Sequence, residues 1–553
     1  MAPNFLKSSL ENASFNIVFQ IMCRCITFLL NAFVVRHVGA KLIGIMNVRL
    51  LLMESVILML TKETFTKACL TNTSEHNWAQ VVNLLWLTIP LCSIISFVCG
   101  YVWLFFLSAD ETSQLYYTFG VWSIAISCII ELMSLAVQLV ASAFLFVRLK
   151  IILESIMIAL RTVTFVSIIV FNPENALLAF GIAQLIAAVF YTTSHYVYFY
   201  HYIKRLKRHK LKRRLSMSDD GTEEYVESEF PFLSIKEFLP GQLKNHDTYF
   251  NKNLSSLTWS FLMQGGLKQI LTEGERYIMT FSPLLTLAEQ GMYDVVNNLG
   301  SLAARFIFRP IEESSYFYFT QMVERSQPLS RQNPAKMYES TNVLRYLFTV
   351  VTSIGLIVLV FGQSYSPLLL WLYGGDALSS TLPVLLLRAH CLAVLLLSVN
   401  GITECYTHAT ADSATLNKNN FIMICESIVF LGASYIFVVL FGPVGFILGN
   451  CVNMGLRIIH SILFINKRYS VTNEQPLAGL VPKPFFSTCL IVAALVTSCS
   501  QAYYFPDKKF LHFFIGVIMF MIVVISWAYE NSDLLKLGLN KWLEKRNGDV
   551  KRD

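Results

Sequence analysis

Long apolar runs, each of about twenty residues, alternate along the chain with short polar stretches. A run of that length crosses the hydrocarbon core of a bilayer as an α-helix. The pattern predicts about fourteen transmembrane helices, beginning near residues 12, 42, 81, 117, 151, 176, 256, 288, 342, 383, 420, 443, 484 and 510. Composition agrees, because 55% of the residues are hydrophobic and only 14% are charged. We therefore expect an all-α, polytopic membrane protein.

A long polar stretch divides the predicted helices into two groups. It opens with the basic run KRLKRHKLKRR and continues with the acidic run SDDGTEEYVESE, and such like-charge blocks are typical of a flexible linker. Six helices precede it. We predict a first six-helix lobe over residues 1–203, a cytosolic linker over 204–253, a second six-helix lobe over 254–469, and two additional helices with a cytosolic tail over 470–553.

Positive charges are distributed unevenly among the predicted loops. Alternate loops such as SADETSQ and NPEN contain no Lys or Arg, whereas the opposite loops are basic. The positive-inside rule places both termini and the basic loops in the cytosol, with Lys508 and Lys509 as the main exception. This topology explains the net charge of +7 without a nucleic-acid partner.

The two halves of the chain resemble each other in the order of their features. GIMNV (44–48) and GMYDV (291–295) each open a second helix that later carries TKETF (61–65) or RPIEES (309–314). Six-helix units in the same orientation indicate parallel repeats, with the substrate site at their interface. That arrangement predicts a transporter.

Charged residues concentrate on the first two predicted helices of each half. A charge at mid-bilayer costs about 2.5 to 3.5 kcal/mol, so these residues must face partners or water in a central cavity. The basic members are Arg24, Arg36, Arg49, Lys62, Lys268, Arg276, Arg305 and Arg309, and the acidic members are Glu54, Glu63, Glu273, Glu275, Asp294, Glu312 and Glu313.

The balance of charge differs between the halves. The first half has four basic residues against two acidic ones, and the second has four against five. The positive surplus lies on Arg24, Arg36 and Arg49, and guanidinium groups suit phosphate oxygens because they bind them bidentately. The alternative is that these arginines are partners of carboxylates such as Glu131 or Glu154.

The stretch GLKQILTEGERYIMTF (266–281) allows two interpretations. Lys268 and Glu275 share one helix face, and Glu273 and Arg276 form an i,i+3 pair. The charges therefore either pair with one another or bind ligand. The neighbouring Gly265 and Gly266, and Gly274 within the stretch, permit either a bend or close helix packing.

Uncharged polar residues give weaker signals. Asn297 and Asn298, like Asn400 with Glu404, are expected to line the cavity or to form hydrogen bonds between helices, the latter being favoured. We find no phosphate-binding loop, nucleophile triad or metal-ligand spacing, so the sequence predicts a protein that is not an enzyme, with no cofactor and no metal site.

Several long motifs resemble the Rft family of eukaryotic endoplasmic-reticulum proteins over residues 10 to 530. They are NVRLLLMESVILMLTKETFTKACL (47–70), NLLWLTIPL (83–91), LKQILTEGERYIMTF (267–281), YDVVNNLGSLAARFIFRPIEES (293–314), LWLYGG (370–375) and VGFILGNCVNMGLRI (444–458). The family belongs to the multidrug/oligosaccharidyl-lipid/polysaccharide exporter superfamily, which includes the bacterial lipid II flippases. The resemblance implies fourteen helices, two six-helix lobes and a V-shaped central cavity.

The resemblance also implies a role in N-glycosylation at the endoplasmic reticulum membrane. There the protein would help a dolichyl-diphosphate-linked mannose-rich oligosaccharide reach the lumenal leaflet. By position, Arg24, Arg36, Arg49 and Arg276 are the nearest counterparts of the diphosphate-binding arginines of lipid II flippases. From their positions in the chain, we expect a further set of residues to line the cavity or form its gate: Lys62, Glu63, Lys268, Glu273, Glu275, Asp294, Asn297, Asn298, Arg305, Arg309 and Glu312.

Our leading hypothesis is a glycolipid flippase that works by alternating access. Its expected partners are the dolichyl-diphosphate oligosaccharide and membrane lipids. The alternative is a non-transporting scaffold or accessory protein that keeps the glycolipid available to the glycosylation machinery, which is then a further expected partner. Cation-coupled export of small solutes is disfavoured, because an organic cation requires an acidic surplus and only the second half has one.

Overall fold

A computed structural model describes residues 28–536, except for 72–76, 108–113, 145, 173–174, 217–229, 242–247, 326, 328, 471–473 and 506. All the regular elements in this described part of the chain are helices, and eleven of them are long and apolar enough to cross a membrane. The prediction of an all-α, polytopic membrane protein is confirmed. The chain divides into two compact units, Met1–Gly291 and Met292–Asp553.

The first unit is a bundle of helices that pack against one another. Asn77 and Asn251 begin two of these helices, because their side chains accept hydrogen bonds from backbone N–H groups of the first turn. Its helices are α1 (Phe28–His37), α2 (Ala40–Cys69), α3 (Trp78–Phe106), α4 (Gln114–Leu132), α5 (Leu135–Ala143), α6 (Val147–Phe171), α7 (Ala176–Ser216), α8 (Lys252–Thr272), α9 (Gly274–Phe281) and the first residues of α10 (Leu287–Gly300).

Among its described residues, the second unit contains the rest of α10 and seven further α-helices. They are α11 (Arg309–Met322), α12 (Pro334–Gly374), α13 (Thr381–Thr410), α14 (Ser413–Phe441), α15 (Val444–Tyr469), α16 (Pro484–Tyr504) and α17 (Lys509–Glu530). Gly442 joins α14 to α15 with a φ of 60°, a left-handed conformation that glycine adopts without strain.

The last two helices pack against α12. The indole Nε1 of Trp527 donates a hydrogen bond to Ser353 Oγ at 2.9 Å, and the Tyr365 hydroxyl donates to the His512 carbonyl at 2.8 Å. The opposite side of α17 is apolar and exposed, as at Phe510, which is 83% exposed. Such a surface is stable against lipid rather than water.

Part of the expected linker is ordered. Helix α7 continues through Ser216, and the segment 230–241 packs on the first unit. The rings of Phe232 and Phe238 stack at 4.4 Å, and Trp86 Nε1 donates to the Phe238 carbonyl at 2.7 Å. Residues 204–216 and 230–241 are therefore not a flexible linker, because helix continuation and aromatic burial outweigh the polar composition.

The two helical segments that carry GIMNV and GMYDV share an irregularity. Helix α2 contains the π-helical turns Gly44–Leu50 and Met59–Glu63, and a further π turn, Ala304–Phe308, precedes α11. Met59 follows Gly44 by fifteen residues, and Ala304 follows Gly291 by thirteen. Single π turns inside α-helices are frequent at functional sites.

Candidate substrate-binding helices

The arginines expected to bind a diphosphate differ in their surroundings. Arg24 lies outside the described residues, and Arg36 lies next to the last residue of α1 with an exposed side chain. Arg49 lies in the first π turn of α2.

Helices α3 and α4 hold Arg49 in place. Its Nη1 donates a hydrogen bond at 3.1 Å to the carbonyl of Leu107, just after α3 ends, and its guanidinium lies near the hydroxyl of Tyr117 in α4. The indole Nε1 of Trp103 donates to the backbone carbonyl of Arg49 at 2.9 Å. A cation is favourable beside the carbonyls at a helix C-terminus. The buried Nε of Arg49 has no hydrogen-bond partner among the described residues.

The second π turn of α2 carries an ion pair that joins two helices. Lys62 Nζ lies 2.6 Å from Glu131 Oε1 of α4, and the two side chains are 25% and 11% exposed. The adjacent Glu63 is exposed and pairs within α2 with Lys67 at 3.3 Å. Glu131 is thus a partner of Lys62, whereas the sequence suggested it as a partner of the arginines.

Three polar side chains of the first unit, those of Glu54, Gln184 and Arg161, are linked in series by hydrogen bonds. Gln184 Nε2 of α7 donates to Glu54 Oε1 at 2.7 Å, and Arg161 Nη1 of α6 donates to Gln184 Oε1 at 3.1 Å. Arg161 and Gln184 were missed in the sequence. The available signal was an arginine in the middle of a long apolar run, which is rare unless it has a partner.

The stretch 266–281 contains a broken helix. Helix α8 ends at Thr272 and α9 begins at Gly274, with Glu273 between them. Arg276 Nη1 lies 3.2 Å from Glu273 Oε2, so the predicted i,i+3 pair is present. Glu275 is half-buried, and the side chain of Lys268 lies outside what the structure describes.

Helix α8 packs closely against α2. Gln269 Nε2 donates a hydrogen bond to Ser55 Oγ at 2.9 Å. A Cβ added at Gly265 would lie 3.2 Å from Thr64 and 3.3 Å from Met59. The helix breaks at Gly274, whereas Gly265 allows close packing of α8 on α2. The bend and the close helix packing expected from the sequence are therefore both present, at different glycines.

Two repeat-related glycines meet where α2 and α10 begin. A Cβ on Gly44 would lie 2.1 Å from the carbonyl oxygen of Leu287, and a Cβ on Gly291 would lie 1.9 Å from that of Ala40. These distances are too short for any side chain other than hydrogen. The glycines that open GIMNV and GMYDV therefore allow two backbones to touch.

Asn298 of α10 forms one hydrogen bond within its own helix and one with the following π turn. Asn298 Nδ2 donates to Asp294 Oδ2 at 3.1 Å, and Arg305 Nη2 donates to Asn298 Oδ1 at 3.3 Å. Asn297 is half-buried. For Asn298, these local hydrogen bonds replace the bonds between helices that were favoured from the sequence.

The neighbouring charges of α11 differ in exposure. Arg309 Nε lies 3.0 Å from Glu313 Oε1, with both side chains 69% exposed. Glu312 is half-buried and its carboxylate lies against Gly401 of α13, where any side chain would collide with it.

A second interhelical ion pair lies in the second unit. Arg457 Nη2 of α15 lies 2.5 Å from Glu404 Oε1 of α13, and Asn400 Nδ2 donates to Glu404 Oε2 at 3.0 Å. The sequence identified Asn400 and Glu404 but missed Arg457. Buried charges usually require such partners, because desolvation disfavours an isolated charge.

Together, these helices and their polar residues define a multi-pass membrane protein with a transporter-like fold. The fold is similar to the lipid II flippase MurJ in an inward closed conformation, with a TM-score of 0.60 and 12% identity over 94% of this chain and 100% of that chain. It is also similar to an inward-facing multidrug resistance MATE family transporter of the MOP superfamily, with a TM-score of 0.53 and 11% identity over 81% of this chain and 95% of that one.

The chain belongs to the Rft protein family, whose model matches residues 8–541. It is 44% identical to the Man(5)GlcNAc(2)-PP-dolichol translocation protein RFT1 of Drosophila melanogaster, over 97% of this chain and 98% of that protein. The proteins of the same name from Xenopus tropicalis and Mus musculus are 39% and 38% identical, over 94% and 92% of this chain and 94% and 91% of their own lengths.

Proposed function

We propose that this protein moves a dolichyl-diphosphate-linked mannose-rich oligosaccharide from the cytosolic to the lumenal leaflet of the endoplasmic reticulum membrane. One observation carries the proposal: nearly the whole chain matches relatives named for translocation of Man(5)GlcNAc(2)-PP-dolichol. The lipid flippase and MATE transporter folds are consistent with it. In this role the protein is a transporter and not an enzyme.

The proposed topology has fourteen transmembrane helices and cytosolic termini. Eleven apolar helices, the helical segments Lys252–Phe281 and Leu287–Met322, and the apolar run near residue 12 support that number. The lobes remain those expected from the sequence, residues 1–203 and 254–469, around a V-shaped cavity. The basic loops favour cytosolic termini.

In this proposal the diphosphate binds to Arg24, Arg36, Arg49 and Arg276. The buried Nε of Arg49, which has no partner in the described part of the chain, supports its assignment, because a phosphate oxygen would satisfy its hydrogen-bonding capacity. Arg276 releases Glu273 when it binds the diphosphate. The side chains of this pair are 34% and 24% exposed, so separating them costs little free energy. The residues proposed to complete the cavity and its gate are Lys62, Glu63, Lys268, Glu273, Glu275, Asp294, Asn297, Asn298, Arg305, Arg309 and Glu312.

Alternating access requires a contact that closes one end of the cavity and then separates. The touching backbones at Gly44 and Gly291 are suited to this role, because two helix surfaces without side chains separate without any rotamer rearrangement. The break between α8 and α9 provides a bend beside this contact.

Reconstitution tests the proposal directly. Vesicles containing the purified protein and a fluorescent dolichyl-diphosphate oligosaccharide are assayed for transbilayer movement with a reagent that reaches only the outer leaflet. We expect faster movement with the protein than without it, and loss of the difference in the Arg24→Ala, Arg36→Ala, Arg49→Ala triple variant at equal protein content. Equal movement in vesicles with and without protein, under several ion gradients, would exclude the flippase and favour the scaffold alternative.

A further inference from the structure

A large groove runs along the first unit between α6 and α7. Its volume is about 1130 Å³. Apolar side chains of both helices form its walls, including Leu149 and Leu160 of α6 and Leu185, Val189 and Val197 of α7. Val189 is 51% exposed, so the groove opens on the surface of the unit.

One end of the groove is cationic and rich in hydroxyl groups. Tyr198, His201, Tyr202 and Arg205 line it over two turns of α7. His201 and Arg205 are four residues apart and therefore lie on the same side of the helix, and both are exposed. An exposed guanidinium binds phosphate oxygens, and tyrosine favours the level of lipid headgroups.

The dimensions of the groove match one leaflet of a bilayer. Val197 follows Leu185 by twelve residues, about 18 Å along a helix, and the hydrocarbon of one leaflet is about 15 Å thick. Arg205 lies eight residues further, about 12 Å beyond the apolar walls, where the headgroups are. The groove therefore has the depth of acyl chains, followed by a cation at the position of a phosphate.

We propose that this groove binds one anionic phospholipid of the leaflet next to the basic end of α7. Its phosphate contacts Arg205 and His201, and its acyl chains lie along the apolar walls. A neutral phospholipid would gain less, because its headgroup has no net charge to complement the cationic end. This site is separate from the proposed glycolipid cavity and does not depend on transport.

Native mass spectrometry of the full chain tests the site. The protein is released from nanodiscs that contain equal amounts of phosphatidylserine and phosphatidylcholine, and the retained lipids are counted. We expect one retained phosphatidylserine on the unaltered protein. Arg205→Gln should reduce its retention about fivefold, the change that one cation contributes beside an anionic lipid, and Arg205→Lys should restore most of it.

Two further variants distinguish a specific lipid-binding site from non-specific attraction of anionic lipid to the basic helix. Lys207→Gln removes the same charge from an exposed position of α7 that does not line the groove, and it should leave retention unchanged. Val189→Trp fills the apolar wall without changing charge and should displace the lipid. Equal losses in Arg205→Gln and Lys207→Gln, or equal retention of the two lipids by the unaltered protein, would overturn the proposal, as would full retention in Val189→Trp.

Discussion

Helix α2 and the segment 287–322, which consists of α10, a π turn and α11, each have a glycine near their start, π-helical turns and charged residues, yet they differ in how those charges are paired. In α2, Lys62 reaches across to Glu131 of α4, and the pair is mostly buried. In α11, Arg309 pairs with Glu313 on its own helix, and both side chains are largely exposed. Similar sequence patterns therefore join helices in the first half and present charge at the surface in the second.

The largest expected effect concerns the buried pair. Lys62→Met leaves Glu131 buried without its partner and should lower the free energy of unfolding by about 3 kcal/mol, the lower end of the range for breaking a buried pair. Arg309→Met removes an exposed charge from α11, eighteen residues after Gly291 as Lys62 is after Gly44. It should change the free energy of unfolding by less than about 0.5 kcal/mol. Denaturant titration in mixed micelles measures both.

A double variant checks the cause of that loss. Lys62→Met combined with Glu131→Leu removes both charges, and stability should return to within about 1 kcal/mol of the unaltered protein. If Lys62→Met and Arg309→Met were equally harmless, the contrast between the two helices would have no energetic basis.

The next effect concerns a feature that the two helices share. Gly44→Leu and Gly291→Leu each place a side chain against a backbone carbonyl, which should cost about 1–3 kcal/mol and slow glycolipid movement at least tenfold. Because both residues lie at one contact, the double variant should cost less than the sum of the two single variants.

Gly455→Leu is a matched control for these variants. Gly455 lies in α15, and a Cβ there meets nothing within 4 Å. It should therefore leave transport unchanged in the same vesicle assay. Normal transport in Gly44→Leu would show that the backbone contact is not needed for the cycle.

The sequence predicted those features that depend on local length and pattern. The apolar runs expected near 443, 484 and 510 correspond to helices that begin at Val444, Pro484 and Lys509, because the bilayer sets the length of an apolar helix. The i,i+3 pair of Glu273 and Arg276 was also predictable from a local pattern, because residues three apart in a helical segment lie close together.

Partners that are distant in sequence were not predictable in this way. Lys62 and Glu131 are sixty-nine residues apart, and only the packing of α2 on α4 determines that they meet. The docking of residues 230–241 was missed because composition was averaged over the whole stretch. The buried phenylalanines at 230, 232 and 238 are closely spaced within it and contact distant aromatic residues of the first unit.

The smallest expected change in stability concerns the partly exposed pair beside the helix break. Arg276→Gln and Glu273→Gln should each change the free energy of unfolding by less than about 1 kcal/mol, because such pairs contribute little. Their effects on transport should be opposite in kind. Arg276→Gln removes a proposed diphosphate ligand and should slow glycolipid movement, whereas Glu273→Gln removes a carboxylate that competes with the diphosphate for Arg276 and should preserve or increase that movement. The vesicle assay measures both rates, and equal losses would mean that the ion pair itself matters, in which case Arg276 would be part of the gate and not a ligand of the substrate.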